Sequence, residues 1–519
     1  MNTIIITSIF LVVFFAIMVG VGFYCRKRST DVNGFVLGGR SVGPWLTAFA
    51  YGTSYFSAVI FVGYAGQFGW KFGVASTWIG LGNAFIGSLL AWVILGRRTR
   101  VMTQHLESKT MPDFFGNRFN SQALKIAASC ITFLFLIPYT ASLYNGLSRL
   151  FAMAFPGIDY SVCVIVMAVL TAIYVLVGGY MATAINDFIQ GIIMLFGIVA
   201  VILAVLNDNG GLMGAMEGLA HSEQGGWEFT SFLGADPLFL LFVVLLTSLG
   251  TWGLPQMVGK FYSIRNEEDI KKGIVISTVF AIIVAGGCYF LGGFGRLYDI
   301  DPTAPGVGFD AIVPQMLSTL SPIIIAIVIV LVLSASMSTL SSLVLTSGST
   351  ITLDFIAPLR KRSNEKSNML LIRAFIAIFI IISAVIAIYQ AKSPNLFIAQ
   401  MMGVSWGALA GAFLAPFLYG LYWKGTTKAG VVASFIFGVA MEIFQLVVSL
   451  GWVSVAEVPV LGFVFQNSLY SGVFAMVGGL IIVPIVSLLS KKTLPEGVDK
   501  MFLCYDKTAT VNLKESLGK

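Results

Sequence analysis

The chain has 519 residues, of which 57% are hydrophobic and 11% charged, with a formal net charge of +7 and a mean hydropathy of +0.90. A water-soluble chain of this length needs charged helix faces and long polar connections, and neither is present; apolar runs of 18 or more residues recur from end to end, each long enough for a membrane-spanning helix. The positive balance is explained by loop topology rather than by nucleic acid, and the five cysteines (Cys25, Cys130, Cys163, Cys288, Cys504) have neither metal nor disulfide spacing.

The first run, Ile4 to Cys25, has no basic stretch before its apolar core and is followed by Arg26, Lys27 and Arg28. It reads as a retained helix, not a cleaved leader. Further helices are expected at about 45–69, 74–96, 123–153, 159–180, 183–207, 236–258, 273–296, 322–352, 369–391, 396–422, 427–451 and 468–489, giving about thirteen spans. Every second connection is basic: Arg26–Arg28 with Arg40, Arg97–Arg100, Lys260–Lys272, Arg360–Lys366, Lys424–Lys428 and Lys491–Lys492. The alternate connections are nearly free of Lys and Arg, and 208–235 has none. This bias predicts an outside N-terminus and a cytoplasmic C-terminus.

Two spans carry helix-weakening residues at matching places. The second has Tyr51-Gly52-Thr53-Ser54 near its middle, and the seventh has Ser248-Leu249-Gly250-Thr251-Trp252-Gly253-Leu254-Pro255. Glycine in a membrane helix often serves only close packing. Here, however, each interruption falls in the first helix of a five-helix set, and an odd number of helices gives two sets opposite topology. Breaks in equivalent positions of inverted repeats point to a transporter binding site. The division expected is an extra helix and loop (1–43), a first repeat (44–207), an outer loop (208–235), a second repeat (236–425), two further helices (426–490) and a cytoplasmic tail (491–519).

The ninth span is unusual in polarity. Ser334, Ser336, Ser338, Thr339, Ser341 and Ser342 crowd into nine positions. Any one hydroxyl in a membrane helix can bond back to a carbonyl one turn earlier. Crowded together, they also offer oxygens that a hard cation takes in place of water. Gly403, Gly407 and Gly411 are spaced as a helix-packing face. Met111 to Phe119 reads as an amphipathic connector, and 208–235 as a loop over the outer vestibule.

The segments FVLGGRSVGPW (35–45), GTSYFSA (52–58), MPDFFGNRF (111–119), YVLVGGYMATAINDFIQG (174–191), WGLPQMVGKF (252–261) and SMSTLSS (336–342) resemble the sodium/solute symporter family, in the branch of the bacterial sodium/proline and sodium/pantothenate symporters. The resemblance spans nearly all of the first twelve helices. It implies an all-α polytopic membrane protein with a LeuT-like 5+5 inverted repeat, broken first helices in each repeat, and alternating access driven by inward sodium movement.

Carried over by position, the family's sodium site falls on the backbone carbonyls of Thr53, Phe56 and Ala335 and the hydroxyls of Ser338 and Thr339. These are neutral oxygens with no fixed carboxylate, suited to reversible binding. Asp187 is by itself an ordinary residue of a helix start, behind Asn186 as cap. The resemblance instead implies a role in sodium exit, or in a second sodium site with Ser341 and Ser342. One sodium is the default expectation and two the alternative. Tyr55, Ser57, Tyr139, Tyr144, Thr251, Trp252, Leu254 and Gln256 are implied for the solute. The chain departs from the proline branch in having Tyr55 where that branch has an acid, and GLPQ at the second break is closer to the pantothenate branch. No buried Arg or Lys stands out as a partner for a carboxylate.

Two isolated histidines, His105 and His221, supply no catalytic constellation, and no G-x-x-x-x-G-K-[ST] loop is present. The expectation is therefore a non-enzymatic, sodium-coupled symporter of a small organic solute, an amino acid such as proline or a carboxylate such as pantothenate. It would lie in a prokaryotic plasma membrane with lipid and solute as partners, no nucleic acid, and a monomer as one assembly to test. A transporter-like solute sensor and a proton-coupled symporter of the same fold are the rival readings.

Overall fold

The computed structural model describes residues 3–26, 31–155, 157–221, 223–298, 300–304, 308–360, 364–392, 398–455 and 457–505. Lys27, Arg28, residues 361–363 of a basic connection and the tail beyond Tyr505 lie outside the described residues. Among the described residues there is no strand, and a single bridge pairs Val42 with Ile264.

The longer helices are α1 (Thr3–Cys25), α2 (Pro44–Tyr55), α3 (Val59–His105), α4 (Met111–Arg118), α5 (Gln122–Ala154), α6 (Tyr160–Asp208), α7 (Pro237–Leu249), α8 (Pro255–Ser263), α9 (Glu267–Leu297), α10 (Pro322–Thr350), α11 (Glu365–Lys392), α12 (Ile398–Tyr422), α13 (Lys428–Ser449) and α14 (Ser468–Leu489). By length and composition, ten described helices can cross a membrane, or eleven if the pair α7–α8, bent by 49°, forms one span.

Two of these helical runs are each long enough to hold two of the thirteen expected spans. The predicted spans 159–180 and 183–207 form one 49-residue helical run, α6, and 74–96 continues the later part of 45–69, from Val59 on, within the 47-residue run α3. At about 1.5 Å per residue each run is roughly 70 Å long, over twice the hydrocarbon core. Both turn at a glycine of positive φ, Gly73 (φ 62) in α3 and Gly179 (φ 58) in α6. At Gly179 a side chain would also strike the Phe35 carbonyl, 2.9 Å from an added Cβ.

The first interruption lies later than expected. Tyr51 to Ser54 stay helical, and the chain opens at Phe56, which is extended (φ −103, ψ 134) before helix resumes at Val59. Gly52 serves packing: an added Cβ would stand 2.5 Å from the Phe280 ring of α9. The second interruption falls inside the expected stretch, at extended Leu254 (φ −87, ψ 119), where Pro255 starts α8. Proline has no N–H to lose at a first helical position, so restarting a helix there is inexpensive.

α10 is the buried axis, packed against α1, α2, α5, α6 and α11, and Val328 to Leu345 is buried throughout. α12, α13 and α14 pack together as a trio that joins the rest chiefly through α12 against α5 and the second break. Gly403, Gly407 and Gly411 face Ser468, Glu442 with Gly472, and Ala475, so this row allows the three helices to close up. α4 is tied down at both ends. Phe114 and Phe115 pack on Phe417 and Phe413 of α12, Arg118 donates to the Gly420 carbonyl at 2.9 Å, and Thr110 donates to Asp354 at 2.5 Å. The 208–235 loop is held by Arg296, which lies against Trp70 and Phe229, and by the Trp78 indole donating to the Phe232 carbonyl at 2.9 Å.

Candidate functional site

The break after Tyr55 frees backbone groups in a dry interior, where each must find a partner. α10 supplies them. The Ala58 N–H donates to Ser336 Oγ at 3.0 Å. The Thr339 hydroxyl lies 3.1 Å from the Phe56 carbonyl, 3.1 Å from the Ala335 carbonyl and 3.5 Å from the Thr53 carbonyl. Ser338 donates to the Thr53 hydroxyl at 2.7 Å, and that hydroxyl donates on to Phe49 at 2.8 Å. Thr53, Phe56, Ala335, Ser338 and Thr339 are therefore gathered at one point, all of them buried. Three carbonyl oxygens converge on a hydroxyl that has one proton to give. Oxygen lone pairs outnumber donors, which suits a small cation and not an anion.

The crowded hydroxyls of α10 divide by function. Ser336 caps the broken helix, Ser338 and Thr339 face Thr53 and Phe56, and Ser341 bonds back to the Ser338 carbonyl at 2.8 Å. Ser342 meets Ser54 at 2.9 Å and accepts from Lys260 Nζ at 2.8 Å. Asp187 is fully buried and stands 3.6 Å from the same Lys260 nitrogen, with Ser338 alongside. Asp187 and Ser342 thus both face the Lys260 ammonium, while Ser341 is turned back along its own helix.

Lys260 corrects the sequence expectation that no buried cation stands out. Its place at the head of a basic connection made it look like a solvated flank, yet its side chain is 3% exposed. It lines a small cavity of about 50 Å³ that also touches Thr110, Thr183, Gln256, Ser342 and Ser349. Lys109, on the basic side between α3 and α4, is the exposed residue of its lining and marks where the cavity opens.

The residues expected to meet solute are only partly united. The Tyr55 hydroxyl donates to the Thr247 carbonyl, joining the two broken helices directly. Trp406 of α12, not anticipated from sequence, meets the Tyr55 and Tyr139 rings edge-on at 6.2 and 5.8 Å between centroids. Among the described residues, the Ser57, Tyr139 and Tyr144 hydroxyls, the Trp406 indole N–H and the Gln256 side-chain oxygen are buried without a hydrogen bond. Thr251 bonds back to the Ser248 carbonyl, Trp252 is committed to the Ile86 carbonyl, and Leu254 forms the second break itself. Gln256 belongs to the cavity beside Lys260 and not to the Tyr55–Tyr139–Trp406 group.

A family model described as the sodium:solute symporter family matches residues 35–438. The chain belongs to this family. It is a sodium-coupled symporter, a member of a transporter family and not of an enzyme family. A sodium/proline symporter of Staphylococcus aureus is 30% identical over 499 residues, covering 94% of this chain and 93% of the relative. Among solved structures, a Na+-coupled sialic acid symporter in a substrate-bound outward-open state superposes with a TM-score of 0.74 at 18% identity, over 93% of this chain and 98% of that one. At that identity the likeness shows the fold, which is the LeuT-like inverted-repeat fold of the symporter.

Proposed function

We propose that the protein imports a small organic solute by alternating access, with sodium held by the Thr53, Phe56 and Ala335 carbonyls and the Ser338 and Thr339 hydroxyls. The observation that carries this reading is the convergence of three carbonyls from a broken and an unbroken helix on Thr339. A sodium ion there links α2 to α10. Because its oxygens come from both helices, it binds only the arrangement that brings them together, and it shifts the population by that difference in affinity.

The solute sits beside the ion, against Tyr55, Ser57, Tyr139 and Trp406, with the second break at Thr251 to Leu254 as the facing wall. Buried polar groups without protein partners amid aromatic rings suit a small molecule with one apolar face and a few hydrogen-bonding atoms. Proline, the solute in the name of the relative at 30% identity, and a small carboxylate such as pantothenate both fit that description. The repeats run from 44 to 207 and from 236 to 425. Basic loops face the cytoplasm, with the N-terminus outside and the C-terminus inside a bacterial plasma membrane. Ion and solute leave through the cavity on the basic side, past Asp187.

The test is uptake into proteoliposomes, with and without an inward sodium gradient, of labelled proline, pantothenate, short carboxylates, sugars and sialic acid. Sodium-dependent accumulation of one compound is expected. Uptake indifferent to sodium at fixed pH would replace sodium with protons. Solute binding with no uptake would make the protein a sensor.

A further inference from the structure

Lys260 gives the interior a cation of its own. Its ammonium donates to Ser342 Oγ at 2.8 Å, stands 3.6 Å from Asp187 Oδ2 and lies 5.4 Å from the centre of the Tyr180 ring. A hydroxyl oxygen, a carboxylate oxygen and a ring face together form a cation's surroundings. Asp187 is 0% exposed, and neither of its oxygens makes a hydrogen bond among the described residues. A carboxylate at such depth is strongly disfavoured without a cation beside it.

A metal ion shared by Asp187, Ser341 and Ser342 would need their oxygens free and convergent. Ser342 already accepts from Lys260, and Ser341 is turned back to the Ser338 carbonyl. The lysine thus stands among the groups such an ion would use. It reaches them from α8, the segment restarted by Pro255 after the second break.

We propose that the Lys260 ammonium is a tethered cation that takes the place of a second sodium beside Asp187 and Ser342, so that one sodium moves per solute. The proposal rests on the sodium reading given above. Asp187 stays neutralised throughout the cycle by an ion that cannot leave, and only the ion at Thr339 exchanges. Lysine suits this role because its charge is compact and its stem flexible enough to follow Asp187 as the helices shift.

The experiment counts ions. Equilibrium binding of radioactive sodium to purified protein is expected to give one ion per wild-type chain, and the sodium-to-solute flux ratio in proteoliposomes is expected to be one. K260M is expected to bind two, and K260M/D187N to return to one. K260M should also melt lower than wild type in choline buffer and recover when sodium is added. Two ions per wild-type chain, or a single ion in a K260M protein that still binds sodium at the wild-type affinity, would overturn the proposal. If K260M does not fold even in sodium, the wild-type count and flux ratio decide alone. A wild-type chain that binds no sodium would instead remove the Thr339 site, a result distinct from finding two ions.

Discussion

The Thr339 hydroxyl lies 3.1 Å from the Phe56 carbonyl, across the gap between a helix that is broken and one that is not. Removing that hydroxyl takes one oxygen from the proposed sodium shell and leaves the Phe56 carbonyl without this partner. T339A is expected to raise the sodium concentration for half-maximal uptake about tenfold or more, roughly 1.4 kcal/mol or above. T339S should stay near wild type. Sodium titration of uptake at saturating solute, with surface expression measured in parallel, checks both. An unchanged sodium dependence in T339A would take the residue out of the site.

Gly52 separates two accounts of the first interruption. If it is small because Phe280 stands against it, G52A forces atoms into a filled space and costs about 1–3 kcal/mol. Thermal unfolding of the detergent-purified protein should show the loss, and in an F280A background, itself destabilised by the missing ring, adding G52A should cost far less. A hinge role predicts the reverse pattern: unchanged stability, slower transport and no rescue.

At the basic end of α5, Lys125 lies 2.6 Å from Asp113 and 3.4 Å from Asp354, whose side chain is 1% exposed. K125M leaves a buried carboxylate uncompensated and should cost about 3–5 kcal/mol. K125M/D354N should be far closer to wild type. Because Thr110 both bonds Asp354 and lines the cavity, the single variant should also speed labelling of a cysteine placed at Thr183. Equal labelling rates would confine the pair to a structural role.

Trp406 tests the solute wall. W406F keeps the ring contacts with Tyr55 and Tyr139 but removes an N–H that has no partner among the described residues. Where a bound solute accepts from that N–H, KM should rise several-fold to tenfold, in line with about 1 kcal/mol for one hydrogen bond. The sodium concentration for half-maximal uptake at saturating solute should stay unchanged. An unaltered KM would make Trp406 a packing residue.

What could be read from sequence followed local chemistry. The hydroxyl crowding on α10 and the Gly-Pro stretch before α8 declared themselves because such residues are costly in a membrane helix without a reason. Lys260 gave no such signal. A lysine near a helix end normally reaches water, and only the tertiary arrangement reveals that Asp187 and Ser342 hold it back. Trp406 lies in a span whose glycine row drew attention to packing, and its neighbours Tyr55 and Tyr139 come from distant parts of the chain. Gly52 misplaced the first break because a glycine required by a neighbouring ring looks, in one dimension, the same as a glycine required by a bend. The expected boundaries near Gly73 and Gly179 are turns that keep helical residues on both sides, so paired spans join into single runs.

The cavity that ends at Lys260 has a pharmacological corollary. Lys109, the exposed residue of its lining, lies in the basic connection between α3 and α4, whereas the loop fastened by Arg296 and Trp78 joins α6 to α7. A membrane-impermeant blocker shaped to that cavity would act from one side only. With the basic loops in the cytoplasm, as proposed, it would silence inside-out vesicles and leave right-side-out vesicles untouched at the same dose.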